Sequence, residues 1–270
     1  MPQRRTAIAT IFGALLASAL SIVIPAEAQE RLEAQYRVTM TGVPVGTLSW
    51  QVDFHKNLYT TLASGGASRV LSLLVNGQGH IGSKGTIVDG HLAPTQFTSN
   101  IIDDDGNTEL EVSFADGVAT ESVVRGPAKK PPLTPIHDAD RRGVIDPLSA
   151  LLIANDVPGA LQSKSCHQAL PIFDGQRRYN LVLTYQRMDK VKLDYGYAGP
   201  VLVCGAILAP IGGYRVDSMI VKYVAERRDI ELWLAPVAGM PFLAPVELSV
   251  PTLIGTLSIQ AERFESIGRR

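Results

Sequence analysis

The sequence is short of several things, and each shortage excludes a class of protein. Of its 270 residues only two are cysteine. Two thiols close at most one intramolecular bridge, so a small disulfide-framed scaffold is excluded. Charged residues are 19% of the chain against 46% hydrophobic, and a chain of that balance buries a core rather than staying disordered. No sign of charge is in excess: 25 Lys and Arg stand against 26 Asp and Glu, for a formal net charge of -1. Nothing overall neutralises phosphates, so no nucleic-acid partner is expected. Beyond Ile24 no apolar run reaches the roughly 18 residues a spanning helix needs, so no transmembrane segment is expected in the mature chain.

The usual catalytic signatures are also missing. The five histidines (His55, His80, His91, His137, His167) stand singly, with no H-E-x-x-H or H-x-H. There is no G-x-S-x-G elbow and no C-x-x-C. No metal site and no cofactor is expected. Gly77-Gln78-Gly79-His80-Ile81-Gly82 spells G-x-G-x-x-G, but Ser83-Lys84-Gly85-Thr86 follows without helical period. A dinucleotide site needs a helix N-terminus there, so a Gly-rich strand is the better reading. Asp103, Asp105, Asn107 and Glu109 alternate like calcium ligands, yet Thr108 and Phe114 stand where an EF-hand loop needs Gly and Glu. A solvated hairpin tip is expected.

What the chain does have begins with a leader. Arg4 and Arg5 precede an apolar run from Ala7 to Ile24, and Pro25-Ala26-Glu27-Ala28 ends it with small residues in the A-x-A pattern. Residues 1–28 are read as a signal peptide cleaved after Ala28, and the location is expected to be periplasmic. In an oxidising compartment Cys166 and Cys204 are expected to form a structural disulfide.

Residues 29–270 read as a single β domain: an N-terminal half (29–125), a Pro-rich connection and helix (126–160), and a C-terminal half (161–270). Leu48, Trp50, Val52 and Phe54 alternate with Thr47, Ser49, Gln51 and Asp53, the pattern of a half-buried antiparallel strand. Asp89-Gly90 and Asp116-Gly117 are hairpin signals. Ser68 to Val75 breaks the alternation. Asp146-Pro147 predicts a helix start, with Leu148, Leu151 and Leu152 on its apolar face and its end near Asn155. The second half predicts strands at Gln168–Phe173, Arg178–Tyr185, Lys190–Tyr195, Val201–Leu208, Tyr214–Ala225, Ile230–Leu234, Pro241–Val250 and Thr256–Phe264. The fold class is all-β, a large antiparallel meander forming an open or incomplete β-barrel with one or two short helices.

In Phe173-Asp174-Gly175-x-Arg177-Arg178-Tyr179 the Asp-Gly pair makes a turn and the two arginines point to opposite faces. One of them, Arg177 or Arg178, is a candidate contact for the polar end of a ligand; the alternative is a hairpin with an internal ion pair.

Several stretches taken in order resemble the DUF3108 family of exported proteobacterial proteins. They are Tyr36 leading into Gly42-Val43-Pro44-Val45-Gly46, Leu92-Ala93-Pro94, Asp146-Pro147-Leu148, the Phe173–Tyr179 motif, Cys204, Trp233-Leu234-Ala235-Pro236 and Pro241. The resemblance implies a periplasmic all-β protein and carries over no catalytic residue. By fold analogy it is similar to open-barrel carriers. Three functions follow as expectations. The first is a non-catalytic carrier of a lipid or acyl chain in an apolar lumen, with Leu148, Leu151 and Leu152 at its mouth. The second is an envelope interaction or assembly protein that uses the basic Gly126–Gly143 segment. The third is a hydrolase of unknown substrate.

Overall fold

The computed structural model describes residues 30–67, 77–127 and 133–268. The leader and the expected break at Ser68 to Val75 lie outside the described residues. The first half forms β1 (Glu30–Met40), β2 (Val43–His55), β3 (Leu58–Ala67), β4 (Gly77–Val88), β5 (His91–Asp103), β6 (Gly106–Ala115) and β7 (Val118–Arg125). The second half forms β8 (Ile153–Ala154), β9 (Ala169–Phe173), β10 (Arg178–Lys192), β11 (Tyr195–Gly196), β12 (Ala198–Gly212), β13 (Ile230–Pro236), β14 (Phe242–Thr252) and β15 (Gly255–Ile267), with one α-helix, α1 (Met219–Glu226).

The meander runs in the order β7-β6-β5-β4-β3-β2-β1-β15-β14-β13-β12-β10-β9. First and last strands pair antiparallel, Val38 opposite Ile259, which joins the two halves into one sheet. Local chemistry sets the hairpins. Asp89-Gly90 and Asp116-Gly117 take positive φ at both positions (50° and 77°, 51° and 71°), the primed turn whose twist matches the flanking strands.

The sheet curls into a nearly closed barrel with one seam, between β7 and β9. The chain itself bridges that seam. Val144 N–H donates to the Gly117 carbonyl (3.0 Å), Ile145 N–H to that of Pro171 (2.9 Å), and Phe173 N–H to that of Ile145 (2.9 Å). From there residues 146–152 cross the lumen past β3 and β4, and β8 then pairs with Phe242 and Leu243 of β14. Leu148 and Leu152 are buried in the main core with Leu32, Trp50, Phe54 and Phe242. Phe54 and Phe242 stack across the lumen at 5.9 Å, and Tyr36 Oη donates to the Pro245 carbonyl (2.8 Å).

Three expectations need correction. The helix expected from Asp146 to Asn155 is only a 3-10 turn at Ser149–Leu151 followed by β8. A longer helix would not leave the chain extended to pair with β14, and burial of both Leu148 and Ile153 outweighs local propensity. The strand expected over Tyr214–Ala225 is instead largely α1. Ser218 caps it, its Oγ accepting from Val221 N–H (3.3 Å), and the polar Asp217-Ser218 start outweighs the β-branched residues that follow. The strands expected at Arg178–Tyr185 and Lys190–Tyr195 are mostly one strand, β10, with a register shift against β12 between Tyr185 and Arg187.

β12 is buried on both faces. Val201 faces the main core, while Leu202, Cys204 and Ala206 face a second cluster with Ile153, Leu183 and Leu243. Cys166 and Cys204 are bridged there, with Cα atoms 5.5 Å apart, which ties the 3-10 turn at Ser163–Cys166 to the sheet.

Candidate functional site

Two polar constellations stand out, one inside the barrel and one outside. Inside, Asp146 is fully buried. Its Oδ1 accepts from the N–H groups of Leu148 and Ser149 (both 2.9 Å). Its Oδ2 accepts from Ser149 Oγ (2.5 Å) and Ser83 Oγ (2.8 Å). Tyr59 Oη shares a hydrogen bond with Ser149 Oγ (2.7 Å). Burial raises the Asp146 carboxyl above its ordinary value, and the four hydrogen bonds oppose that shift. Burial and the nearby carboxyl also push the Tyr59 hydroxyl up. Tyr59, Ser83 and Ser149 are each at most 4% exposed, so the cluster has no path to a substrate. It fastens the crossing segment to β3 and β4.

Outside, a groove of about 750 Å³ lies on the Gly-rich strands. Its side chains come mainly from the face turned away from the core. Trp50 and Val52 face the core, so Ser49 and Thr47 face outward. Register then lines up one outward row across five strands: Gln35 opposite Ser49, Ser49 opposite Ser64, Ser64 opposite His80, His80 opposite Asn100. A second row runs Thr47, Gly66, Gln78, Ile102. The Ser49 and Ser64 hydroxyls are 2.8 Å apart. Asn100 Nδ2 donates to Glu109 (3.5 Å). Glu262 sits at the rim and is ion-paired with Arg37. Gly65, Gly79 and Leu48, whose side chains or Cβ positions point to the inner face, contribute backbone to the lining.

Neither expected arginine lines this groove. Arg177 is half-exposed, 3.6 Å from Asp174. Arg178 is the inward one, buried, donating from Nη1 to the Tyr179 carbonyl (2.5 Å) and Asn180 Oδ1 (2.7 Å). Its buried Nε has no hydrogen-bond partner. Burial lowers the Arg178 guanidinium below its ordinary value, with Asp140 opposing. The motif's turn has a structural task. Asp174 Oδ1 accepts from Gln176 (2.9 Å) and Arg177 (2.6 Å) N–H groups, and Ser122 Oγ donates to the Gly175 carbonyl (2.9 Å) across the seam. The neighbouring Tyr214 hydroxyl is pushed up to about 12, by burial first and then by Asp174.

Sequence reasoning missed both constellations. Strand alternation shows that Ser49 and His80 each face away from apolar neighbours, but not that they share a row. The G-x-G-x-x-G stretch is strand β4, as expected, and supplies Gly79 and His80 to the groove. Among the described residues no three His, Cys, Asp or Glu side chains converge to hold a metal ion, and no helix is long and apolar enough to cross a membrane.

The fold is therefore that of an antiparallel β-barrel whose lumen its own chain crosses. Residues 35–262 match the family model DUF3108, described as a protein of unknown function, and the chain belongs to that family. A solved structure of similar fold is a beta-barrel-like protein of domain of unknown function DUF1849 from Brucella abortus. It is 10% identical, with a TM-score of 0.50, and the match covers 89% of this chain and 99% of that one. No curated protein matches.

Proposed function

We propose that the protein is an exported periplasmic binding module for an amphiphilic or lipid-like ligand, without catalysis, and that the ligand lies in the outer groove. The observation that carries this is the groove itself. It has the volume of a small-molecule site, about 750 Å³, and it combines hydroxyl and amide groups with Ile102 and a glycine floor. The lumen is the weaker place. Where residues 146–152 cross, Leu148 and Leu152 already occupy the space an acyl chain would take. A ligand contact at Arg177 or Arg178 is a separate proposal, and it would lie outside the groove.

Native mass spectrometry on protein from a periplasmic extract, with organic extraction of whatever is bound, tests the groove reading. The expected result is an adduct of lipid mass that Gly66→Leu removes. An adduct-free protein that gains none from a total lipid extract overturns it.

A second reading has its own support. Met219 (72% exposed) and Ile220 (65%) on α1, and Leu253 (50%) and Ile254 (79%) in the β14–β15 turn, present apolar side chains to solvent. They fit an envelope protein that binds a partner without a small ligand. In that case cross-linking in intact cells captures a partner that Met219→Ser/Ile220→Ser loses and Gly66→Leu retains.

A further inference from the structure

We propose that the groove recognises an uncharged, polyhydroxylated headgroup, the sugar end of a glycolipid. This rests on the binding reading above and names its ligand class.

The lining chemistry carries the argument. Gln35, Ser49, Ser64, His80 and Asn100 stand one strand apart, so the row offers a polar side chain about every 4.8 Å. Hydroxyl and amide groups each donate and accept. A sugar hydroxyl does the same, so each can be matched in either sense. A phosphate oxygen only accepts, and its best partners are guanidinium and ammonium groups. The lining contains no Lys or Arg. The nearby Arg37 guanidinium is held by Glu262, so that pair offers an anion no net positive charge. A phosphate headgroup therefore finds no charged donor in the lining.

The floor adds shape. Gly66 faces outward in the second row, and no side chain rises there, so a flat ring can lie against the backbone. Ile102 in the same row is 44% exposed and offers an apolar neighbour to a ring face or tail.

Gly66 also supplies a clean variant. A Cβ built there meets nothing closer than 3.4 Å, the Gly77 carbonyl oxygen, which is ordinary contact, and φ is not positive. Gly66→Leu therefore places a side chain in the groove from a position whose Cβ has room. The inward Gly65 would not serve, since its Cβ would lie 2.3 Å from Leu48 Cδ2.

The experiment is isothermal titration of the full chain with three probes below their micelle concentrations: dodecyl maltoside, dodecylphosphocholine with the same tail, and maltotriose with no tail. Dodecyl maltoside is expected to bind at least tenfold tighter than either of the others. Gly66→Leu is expected to weaken it at least tenfold at an unchanged urea midpoint. Asn100→Ala is expected to weaken dodecyl maltoside but not dodecylphosphocholine. Equal binding of the two detergents, both lost in Gly66→Leu, overturns the sugar inference and leaves the amphiphile reading standing. Maltotriose binding as tightly as dodecyl maltoside supports the sugar inference and overturns the need for a tail. No binding of any probe, or binding indifferent to Gly66→Leu, overturns both.

Discussion

Replacing Asp146 separates a structural latch from an idle buried charge. In Asp146→Ala the N–H groups of Leu148 and Ser149 lose their acceptor inside the barrel, where water does not reach them. Each unsatisfied buried donor costs about 1–3 kcal/mol. The hydroxyls suffer less, because Ser83 and Ser149 already lie 3.0 Å apart and Tyr59 can donate to Ser149. Burial already disfavours the charged carboxylate, so its removal returns only part of that loss. The net expectation is a loss of about 2–4 kcal/mol, or roughly 5–15 °C in Tm for a domain of this size.

Asp146→Asn keeps the Oδ1 acceptor, and the serine hydroxyls can turn to accept from its amide, so its cost should stay below about 1.5 kcal/mol. The pH dependence has a definite sign. The folded carboxyl titrates above its unfolded value, near 4, because burial disfavours the charge. Between those two values the folded state binds more protons, so stability falls as pH rises and levels off above the folded value. Urea unfolding of wild type and Asp146→Asn from pH 4 to 8 reads this directly. The wild-type advantage should shrink with rising pH. An Asp146→Ala midpoint equal to wild type, or an advantage that grows with pH, refutes the latch.

Other outcomes follow from the same geometry. Reducing the Cys166–Cys204 bridge, or replacing both with Ser, should cost about 4 kcal/mol by chain entropy for a separation of 38 residues, read by non-reducing against reducing urea melts. Gly175→Ala should cost about 2–3 kcal/mol. Its φ is +91° and a Cβ would lie 2.7 Å from Val112 Cγ2, so an unchanged midpoint refutes the seam contact. Glu231 accepts two bonds from Arg187 (2.6 and 3.1 Å), which holds its carboxyl below the ordinary range. Glu231→Gln should cost less than about 1 kcal/mol at pH 7 because the pair is part-exposed. That difference should vanish as pH falls through the lowered Glu231 value. Gly66→Leu should keep the wild-type melting midpoint while losing the groove ligand.

Most strands were legible from the sequence, though Tyr214–Ala225 was read as a strand where α1 forms. Alternation at Leu48–Phe54 named the core side of β2, and Asp89-Gly90 and Asp116-Gly117 marked their hairpins, because period and turn preference are local properties. The Cys166–Cys204 pair was legible for another reason: no third thiol competes. The buried latch was legible only as an Asp-Pro helix start, since its acceptor chemistry depends on Tyr59 and Ser83 more than sixty residues earlier. The groove depends on register carried across five strands. Register shifts at Gln35/Tyr36, Val38/Thr39 and Lys84/Gly85 change which residues face one another, and a one-residue slip sends a side chain to the other face. Local alternation thus determined an all-β chain with a polar and an apolar side to its strands. Long-range pairing alone decided that Ser49, Ser64, His80 and Asn100 meet in one row, and that the Asp146 segment crosses the lumen, because no local interaction encodes either.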